Sequence, residues 1–436
     1  MNQDLKILPA GAGSGKTWRI KTDLADWVEQ GLVRPDRILA VTFTEAAAGE
    51  LRDRIRFELM TAGKVEAAMA VERAYVSTIH GLGLRILGEH AFAAGSSVSP
   101  RHLSDPERDV MIRQSIARCR VLDQVRADLP RFGYRFDFNS KASAEDAFRA
   151  RLFGVIDLLR SLGDRGTAPG LADELTQATR SLYGKVDRDP APLEAKLRNA
   201  VQAMLRAFPA GCTDLNFSAA ANKAFASDLR NLRRARNSDA LAWDWSLWQQ
   251  LRGLRQSKRG SATPDGYDSA AQEVMDAADG LLRHPGPLAD ICDHASALIR
   301  GAQEIMTEFA AAKRAAGVID FADMIVDAER LIRTRPEVLD AVLAEIDCVI
   351  VDEFQDTNPV QFALLWRLAQ RAPRVALVGD IKQSIMGFQG ADPRLTEALV
   401  DQHTDQVEAL DRNWRSDPRI MGFVNALGGK AFGKAY

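Results

Sequence analysis

The 436-residue sequence has four cysteines, Cys119, Cys212, Cys292 and Cys348, and none stands in a C-x-x-C pair. That spacing argues against a zinc ribbon or an iron–sulfur site, and equally against a disulfide framework. No apolar run approaches the roughly 18 residues that a membrane span needs. The first residues, Asn2, Gln3 and Asp4, are polar and have no signal-peptide layout. A cytoplasmic, reducing location is the expectation, with no membrane partner. Charge of one sign is also missing. The 57 Lys and Arg stand against 59 Asp and Glu, a formal net charge of −2. A wholly basic nucleic-acid coat protein is thereby excluded, although local basic patches are not. No internal repeat and no long low-complexity tract occurs. What remains is 46% hydrophobic and 27% charged residues. This is ordinary for a globular chain long enough to bury a large core as two or three domains.

Strand and helix patterns alternate over the first 80 residues. Leu5–Leu8 reads as a short buried strand, Arg37–Phe43 as a second and Ala74–Thr78 as a third. The pattern Ala46–Met60 reads as a helix. Such alternation predicts a parallel sheet covered on both faces. From about Pro100 to Pro285, Arg, Ala, Leu and Asp dominate and strand-like runs are scarce, which predicts a helical insertion. Alternation is expected to return after about Ala297. Cys348–Val351 and Arg374–Val378 then read as buried strands, and Asn358-Pro359 as the start of a helix. The expected division is 1–100 and 297–405 for a sheet domain split in sequence, 101–296 for the helical insertion, and 406–436 for the start of a further, interrupted lobe.

Chemistry concentrates in two places. Ala10-Gly11-Ala12-Gly13-Ser14-Gly15-Lys16-Thr17 lies between a strand and a helix. Glycines let backbone N–H groups turn inward around phosphates, and a helix start adds a positive dipole. Lys16 is placed to reach the β/γ-phosphates of ATP, and Thr17 to offer its hydroxyl to Mg²⁺. Ala10 stands where the usual pattern has glycine. The second place is Val349-Ile350-Val351-Asp352-Glu353-Phe354-Gln355-Asp356, an apolar strand ending in two carboxylates. Asp352 would hold Mg²⁺, directly or through water, and Glu353 would take a proton from the attacking water.

Together with further motifs in order, these residues resemble the UvrD/RecB family of superfamily 1 DNA helicases. Asp-Glu-Phe-Gln-Asp-Thr at 352–357 is similar to the family's DExx box, and residues 10–17 to its motif I. Thr42-Phe43-Thr44-Glu45-Ala46-Ala47-Ala48, with Leu51 and Arg54, resembles motif Ia, and Ser77-Thr78-Ile79-His80-Gly81 resembles motif Ib. Asp320-Phe321-Ala322-Asp323-Met324 resembles the segment ahead of the DExx strand. Val378-Gly379-Asp380-Ile381-Lys382-Gln383-Ser384-Ile385 resembles motif III, and Asn413-Trp414-Arg415-Ser416 motif IV. The motifs span residues 10–416. Lys382 before Gln383, the Asn-Trp-Arg-Ser run and the long insertion lean towards the RecB/AddA branch.

The resemblance implies a RecA-like P-loop NTPase sheet, with the start of a second RecA-like lobe after it. It implies an ATP-dependent 3′→5′ motor on single-stranded DNA, in repair or recombination, with ATP and Mg²⁺ as cofactors. Single-stranded DNA and single-strand/duplex junctions are the implied partners, together with a nuclease or helicase-complex subunit. Gln383 would sense the γ-phosphate and Arg415 would reach it from the neighbouring lobe. Thr42, Phe43, Thr44, His80 and Phe388 would lie on the strand's path. His80 also reads as a helix-start residue with a local bond, and Phe43 as a core aromatic.

Two departures stand out. Met386 and Gln389 replace the tyrosine and arginine usual after motif III. The motifs expected beyond Arg415 do not follow, so weak nucleotide binding, slow turnover and no unwinding are expected of residues 1–436 alone. The alternative function is a non-motor DNA- or partner-binding module with little turnover. A GTPase is disfavoured, because no Asn-Lys-x-Asp guanine-reading motif is present.

A basic stretch closes the reading. Residues 223–259 carry nine Lys and Arg against Asp228, Asp239 and Asp244, with Trp243, Trp245 and Trp248 among them. Basic residues with interleaved aromatics suit a nucleic-acid backbone, while an amphipathic helix pair with a tryptophan core is the competing reading.

Overall fold

The computed structural model describes residues 4–432, except 96, 138, 213–216, 238 and 259–261 and the side chains of Asn237, Phe388, Gln389 and Phe432. Its described residues form two compact units.

The first unit comprises 1–118, 156–168 and 305–436. Its main sheet has five parallel strands: β1 (Asp4–Pro9), β2 (Ile38–Thr42), β3 (Tyr75–Thr78), β6 (Cys348–Val351) and β7 (Arg374–Gly379). Their order across the sheet is β1-β7-β6-β2-β3. Two further strands of two residues each, β4 (Arg101–His102) and β5 (Val318–Ile319), pair with one another. Val407 and Leu410 make parallel bridges to Ile7 and Ala10, extending the sheet edge beyond β1.

Side chains alternate faces along a strand, so a central strand must be apolar on both. In β6, Cys348 and Ile350 pack with α1 (Lys16–Glu29) and α2 (Glu45–Thr61) through Ile20, Leu24, Leu51 and Ile55. Val349 and Val351 face the other layer, which includes Ile79 and Leu82, Met324 and Ile325, and Leu364 and Leu365. Every side chain of β6 is fully buried. Burial on that scale contributes roughly 1.5–3 kcal/mol per Val or Ile. The helix Pro359–Ala369 starts as expected. Asn358 caps it, accepting from the Gln361 N–H at 2.9 Å, and the Gln361 side chain returns to the Asn358 N–H.

A buried ion cluster fixes the start of the helix Phe321–Thr334. Asp320 caps that helix in a reciprocal box with Asp323. Arg160 donates to Asp320 at 3.0 Å and to Asp323 at 2.7 Å, and Lys313 donates to Asp320 at 2.9 Å. Burial opposes ionisation of Asp320. Hydrogen bonds and charge from Arg160, then Lys313, outweigh it and hold the carboxyl far below the ordinary aspartate range.

The second unit comprises 119–155 and 169–304. It is helical, with no strand among the described residues. Its core joins the helices Ala191–Ala207, Trp245–Arg252 and Tyr267–Ala278 through Leu197, Val201, Trp248, Tyr267 and Ala271. Trp248 is completely buried, and its indole N–H donates to the Leu241 carbonyl at 2.9 Å. The tryptophan-core reading of this stretch therefore holds for Trp248.

Strand–helix alternation resumes later than the sequence suggests. A 32-residue helix, Pro285–Ala316, runs through the expected return at Ala297. Proline suits a first helical turn. Gly301 lies inside this helix, where a side chain would collide with Leu122 at 2.5 Å. The glycine serves close packing and not a turn.

Candidate nucleotide site at the strand ends

In a parallel sheet all strands finish at one edge, and ligands of open α/β sheets bind outside those carboxyl ends. The register makes this concrete. Pro9 is level with Gly379, Val351 with Leu377 and Val41, and Thr42 with Thr78. The glycine loop after β1, Asp352 after β6, Asp380 after β7, Phe43 after β2 and Ile79 after β3 thus emerge side by side.

The loop between β1 and α1 turns on two glycines with positive φ, Gly13 at 77° and Gly15 at 89°. Gly15 caps α1 without a side-chain bond, so the first amides of the helix keep their donors outward. The Ser14 hydroxyl is buried and meets no hydrogen-bond partner among the described residues. Uncapped amides and an orphaned hydroxyl at a helix start fit a bound phosphate.

Lys16 faces the acidic strand end. Its ammonium donates to both carboxylate oxygens of Glu353 at 2.8 Å. Glu353 has φ of 56°, a left-handed conformation that costs a non-glycine residue roughly 1–3 kcal/mol. Its N–H donates to the Asp352 carboxylate at 3.0 Å. Burial, and then repulsion from Glu353, pushes Asp352 above the usual aspartate range, with Lys16 opposing the shift. No group of three His, Cys, Asp or Glu side chains among the described residues forms a metal cage. Asp352 offers one carboxylate and Thr17 one hydroxyl. That donor set fits Mg²⁺, which keeps several waters and completes its shell with substrate phosphates.

Three residues that received no role from the sequence organise this edge. Gln355 is buried at 1% exposure. Its amide N–H₂ donates to Glu353 at 2.9 Å and Asp356 at 3.2 Å, while its carbonyl accepts the Asp380 N–H at 2.9 Å. Only glycine fits at 379, since a side chain would lie 2.5 Å from that carbonyl. Asp380 in turn accepts from the Gln383 side chain at 2.6 Å. A continuous chain therefore runs Lys16–Glu353–Gln355–Asp380–Gln383. The third residue is Asn413. It donates to the Ala12 carbonyl at 2.7 Å and accepts from the N–H groups of Arg415 at 2.9 Å and Ser416 at 2.8 Å. The Trp414 N–H donates to the Gly13 carbonyl at 2.8 Å. Arg415 itself is exposed, with its Cβ beside Gly13. An amide set between two acids after a strand was the available signal for Gln355.

The remaining site residues divide. Thr42 is buried at 3% exposure, within β2. Phe43 is half-buried against the core, and Thr44 caps α2, accepting from the Ala47 N–H at 3.1 Å. His80 sits in the first turn of the helix Ile79–Glu89, which Thr78 caps. Burial lowers the His80 pKa. Phe321, 58% exposed, lies edge-on to His80 with ring centres 5.8 Å apart, and 4.3 Å from His102. Phe388 belongs to the short turn Met386–Gln389, and its side chain lies outside the described residues.

A parallel sheet, a glycine loop opening a helix after β1 and a carboxylate pair at the end of β6, two places along the sheet, together make a P-loop arrangement. The chain belongs to the UvrD/REP helicase N-terminal domain family, whose model matches residues 1–404. It is 27% identical to the A subunit of the ATP-dependent helicase/nuclease of Geobacillus thermodenitrificans, over 98% of this chain and 38% of that protein. It is also 27% identical to RecB, a subunit of the RecBCD enzyme of Escherichia coli, again over 98% of this chain and 38% of the relative. The helicase/nuclease A subunit of Ligilactobacillus salivarius is 24% identical over 97% of this chain and 37% of its own length. The chain thus spans well under half the length of these relatives. No described helix is long and apolar enough to cross a membrane.

Proposed function

We propose that this chain is the nucleotide-binding part of an ATP-driven, 3′→5′ single-strand DNA translocase of the RecB/AddA kind, working in repair or recombination. The carrying observation is the contact of Lys16 with Glu353, which joins the phosphate loop to the acidic strand end at 2.8 Å. In this reading the sheet unit is the ATP-binding lobe, the helical unit an insertion in its sequence, and the segment from about 406 leads towards a second RecA-like lobe.

Lys16 exchanges Glu353 for the β/γ-phosphates, and the amides of Gly11–Thr17 hold the same phosphates. The freed Glu353 carboxylate then accepts the proton of the attacking water. Mg²⁺, held by Thr17 and Asp352, would supply charge neutralisation to the phosphates. Gln383 reports the γ-phosphate through Asp380 and Gln355 to Glu353. Arg415, on a segment tied to the loop by Asn413, completes the charge around the γ-phosphate. Phe43, Thr44 and His80 carry the DNA strand with Thr42 beneath them, and Phe321 and Phe388 offer faces for bases. A nuclease or helicase-complex subunit is the proposed protein partner, and the cytoplasm the proposed location.

The test is ATP binding and DNA-stimulated ATP hydrolysis by wild type, Lys16→Ala and Glu353→Gln. Loss of binding in the first and of turnover alone in the second is expected. Unchanged turnover in Glu353→Gln would remove that residue from the base role.

A further inference from the structure

The helical unit contains a cavity of about 480 Å³ lined by the loop 132–137, by Ala147 and Arg151 of the helix Ala144–Ser161, and by His294. Aromatic rings make up much of the lining. Phe132 stacks on His294 with ring centres 5.3 Å apart and planes 19° from parallel. The buried Tyr134 hydroxyl hydrogen-bonds the His294 Nε2 at 2.8 Å and holds the imidazole in place. Phe136, half-exposed, stands on the wall. The loop is pinned from behind, since Arg131 grips Asp290 with two hydrogen bonds, at 2.9 and 2.6 Å.

The lining also carries positive charge. Arg135 and Arg151 both line the cavity and are exposed, and neither forms an ion pair with a described residue. The opposing charge is Asp137, whose carboxylate is turned into its own loop. It accepts the Asn139 N–H at 2.9 Å and the Ser140 hydroxyl at 2.7 Å. Burial, and then the nearby Arg151 charge, lowers the His294 pKa, so this part of the lining is a neutral aromatic surface near pH 7.

Three arginines of the same unit show the contrast. Arg234, Arg252 and Arg255 are each paired with an aspartate. Two guanidinium groups without an ion-pair partner among the described residues, in one cavity with stacked aromatic rings, match a ligand that is planar at one end and anionic at the other. Guanidinium forks suit phosphate, and aromatic faces suit bases without sequence preference. The volume lies in the range of small-ligand sites.

We propose that this cavity is a nucleic-acid subsite, taking one base of a single DNA strand against the Phe132–His294 stack and Phe136, with its phosphate on Arg135 and Arg151. The choice of a DNA strand rests on the proposed function, whereas the phosphorylated-base chemistry does not.

The test uses the full chain and an oligothymidylate carrying 4-thiothymidine, with 4-thiothymidine monophosphate in a parallel arm. Each is photo-crosslinked and mapped by mass spectrometry. The expected result is an oligonucleotide crosslink within the loop 132–137 or at His294. Arg135→Glu with Arg151→Glu should abolish it without moving the thermal midpoint, and Arg151→Lys should retain most of it. Phe136→Ala should weaken oligonucleotide binding by roughly 5- to 150-fold, the range for one base–aromatic stack. Oligonucleotide crosslinks confined to the sheet unit would overturn this subsite and leave the proposed function standing. Mapping of the monophosphate here, with no oligonucleotide bound anywhere, would overturn the strand as occupant and the DNA reading with it. No crosslink here in either arm would overturn the site.

Discussion

In the sheet unit, Lys16 meets Glu353 at a strand edge where backbone register, not side-chain packing, brings residues 337 positions apart into contact. In the helical unit, Arg255 meets the buried Asp228, and Arg234 the buried Asp244. Both units use ion pairs, yet the pairs differ in what surrounds them. The Lys16 pair is flanked by uncapped helix amides, an orphaned Ser14 hydroxyl and a strained Glu353, so it has alternatives that a ligand can offer. The helical-unit pairs close a fold. An ion pair therefore indicates function when its neighbours are left incomplete, and structure when they are satisfied.

The largest expected effect breaks the first kind of pair. Lys16→Ala should lower ATP turnover by about 10²–10³, the range for losing one preorganised charge-stabilising donor. Thermal stability should change little, because the pair is partly solvent-exposed. Steady-state ATP hydrolysis and a melting curve on the same variant check both halves. A large fall in melting temperature would make Lys16–Glu353 a structural pair like those of the helical unit.

Next comes the buried cluster, which is structural although it lies in the sheet unit. Lys313→Met leaves Asp320 and Asp323 with Arg160 alone, and breaking a buried charge set costs about 3–5 kcal/mol. The sign with pH follows from the lowered Asp320 pKa. A carboxylate ionised more readily in the folded state adds stability above its unfolded pKa. That stability is lost as pH falls through the folded value. The gap between wild type and Lys313→Met in urea unfolding should thus be full near neutral pH, begin to shrink as pH falls through the ordinary aspartate range, and close only in stronger acid. Trp248→Ala should cost a similar amount, about 3–5 kcal/mol, by emptying the helical core. ATP affinity should be unchanged in that variant.

Much of this organisation was legible beforehand. The apolar runs within Cys348–Val351 and Arg374–Val378 are strands because a central parallel strand must be apolar on both faces, whereas Leu5–Leu8, at the end of the five-stranded order, tolerates Lys6. The glycine loop was legible because backbone turning demands glycine at Gly13 and Gly15. Gln355 and Asn413 were not, since an amide's role lies in partners distant in sequence, Asp380 for one and Ala12 for the other. The long helix Pro285–Ala316 was misjudged at Ala297, because strand–helix alternation does not show where a helix stops, and Gly301 within it packs against Leu122 instead of ending it. Composition misled most over residues 223–259. Arg234, Arg252 and Arg255 are paired with aspartates, and Arg233 donates to the Pro209 carbonyl at 3.0 Å, so the basic count overstated the free charge. Arg259 lies outside the described residues.

A smaller effect sharpens the comparison inside the site. Asp352 holds its proton to a higher pH than an ordinary aspartate, from burial first and the Glu353 charge second. Mg·ATP affinity should therefore fall on acidification while a free aspartate would still be ionised. Glu353→Gln removes the second cause and leaves Lys16 closer to Asp352 in effect. The midpoint of affinity against pH should shift to lower pH, and a midpoint that stays or rises would show that Asp352 does not bind the metal.

The smallest expected effect concerns Arg234. Its guanidinium is about half exposed, 2.7 Å from the buried Asp244, and lies 5.8 Å from the Trp243 ring. If this arginine serves only the fold, Arg234→Ala removes a partly exposed ion pair worth about 0–1 kcal/mol, which solvent screens. Asp244 keeps other partners, since it caps the helix Trp245–Arg252 by accepting the Leu247 N–H at 3.1 Å and also accepts the Ser246 hydroxyl at 2.9 Å. The carboxylate is therefore not orphaned, and the loss should stay at the low end. DNA affinity then separates the two readings. A phosphate contact would reduce the slope of log affinity against log salt by about one in the variant. An arginine committed to Asp244 would leave the slope unchanged. The ion pair predicts the unchanged slope, and a drop of one would return this stretch to the DNA-binding surface.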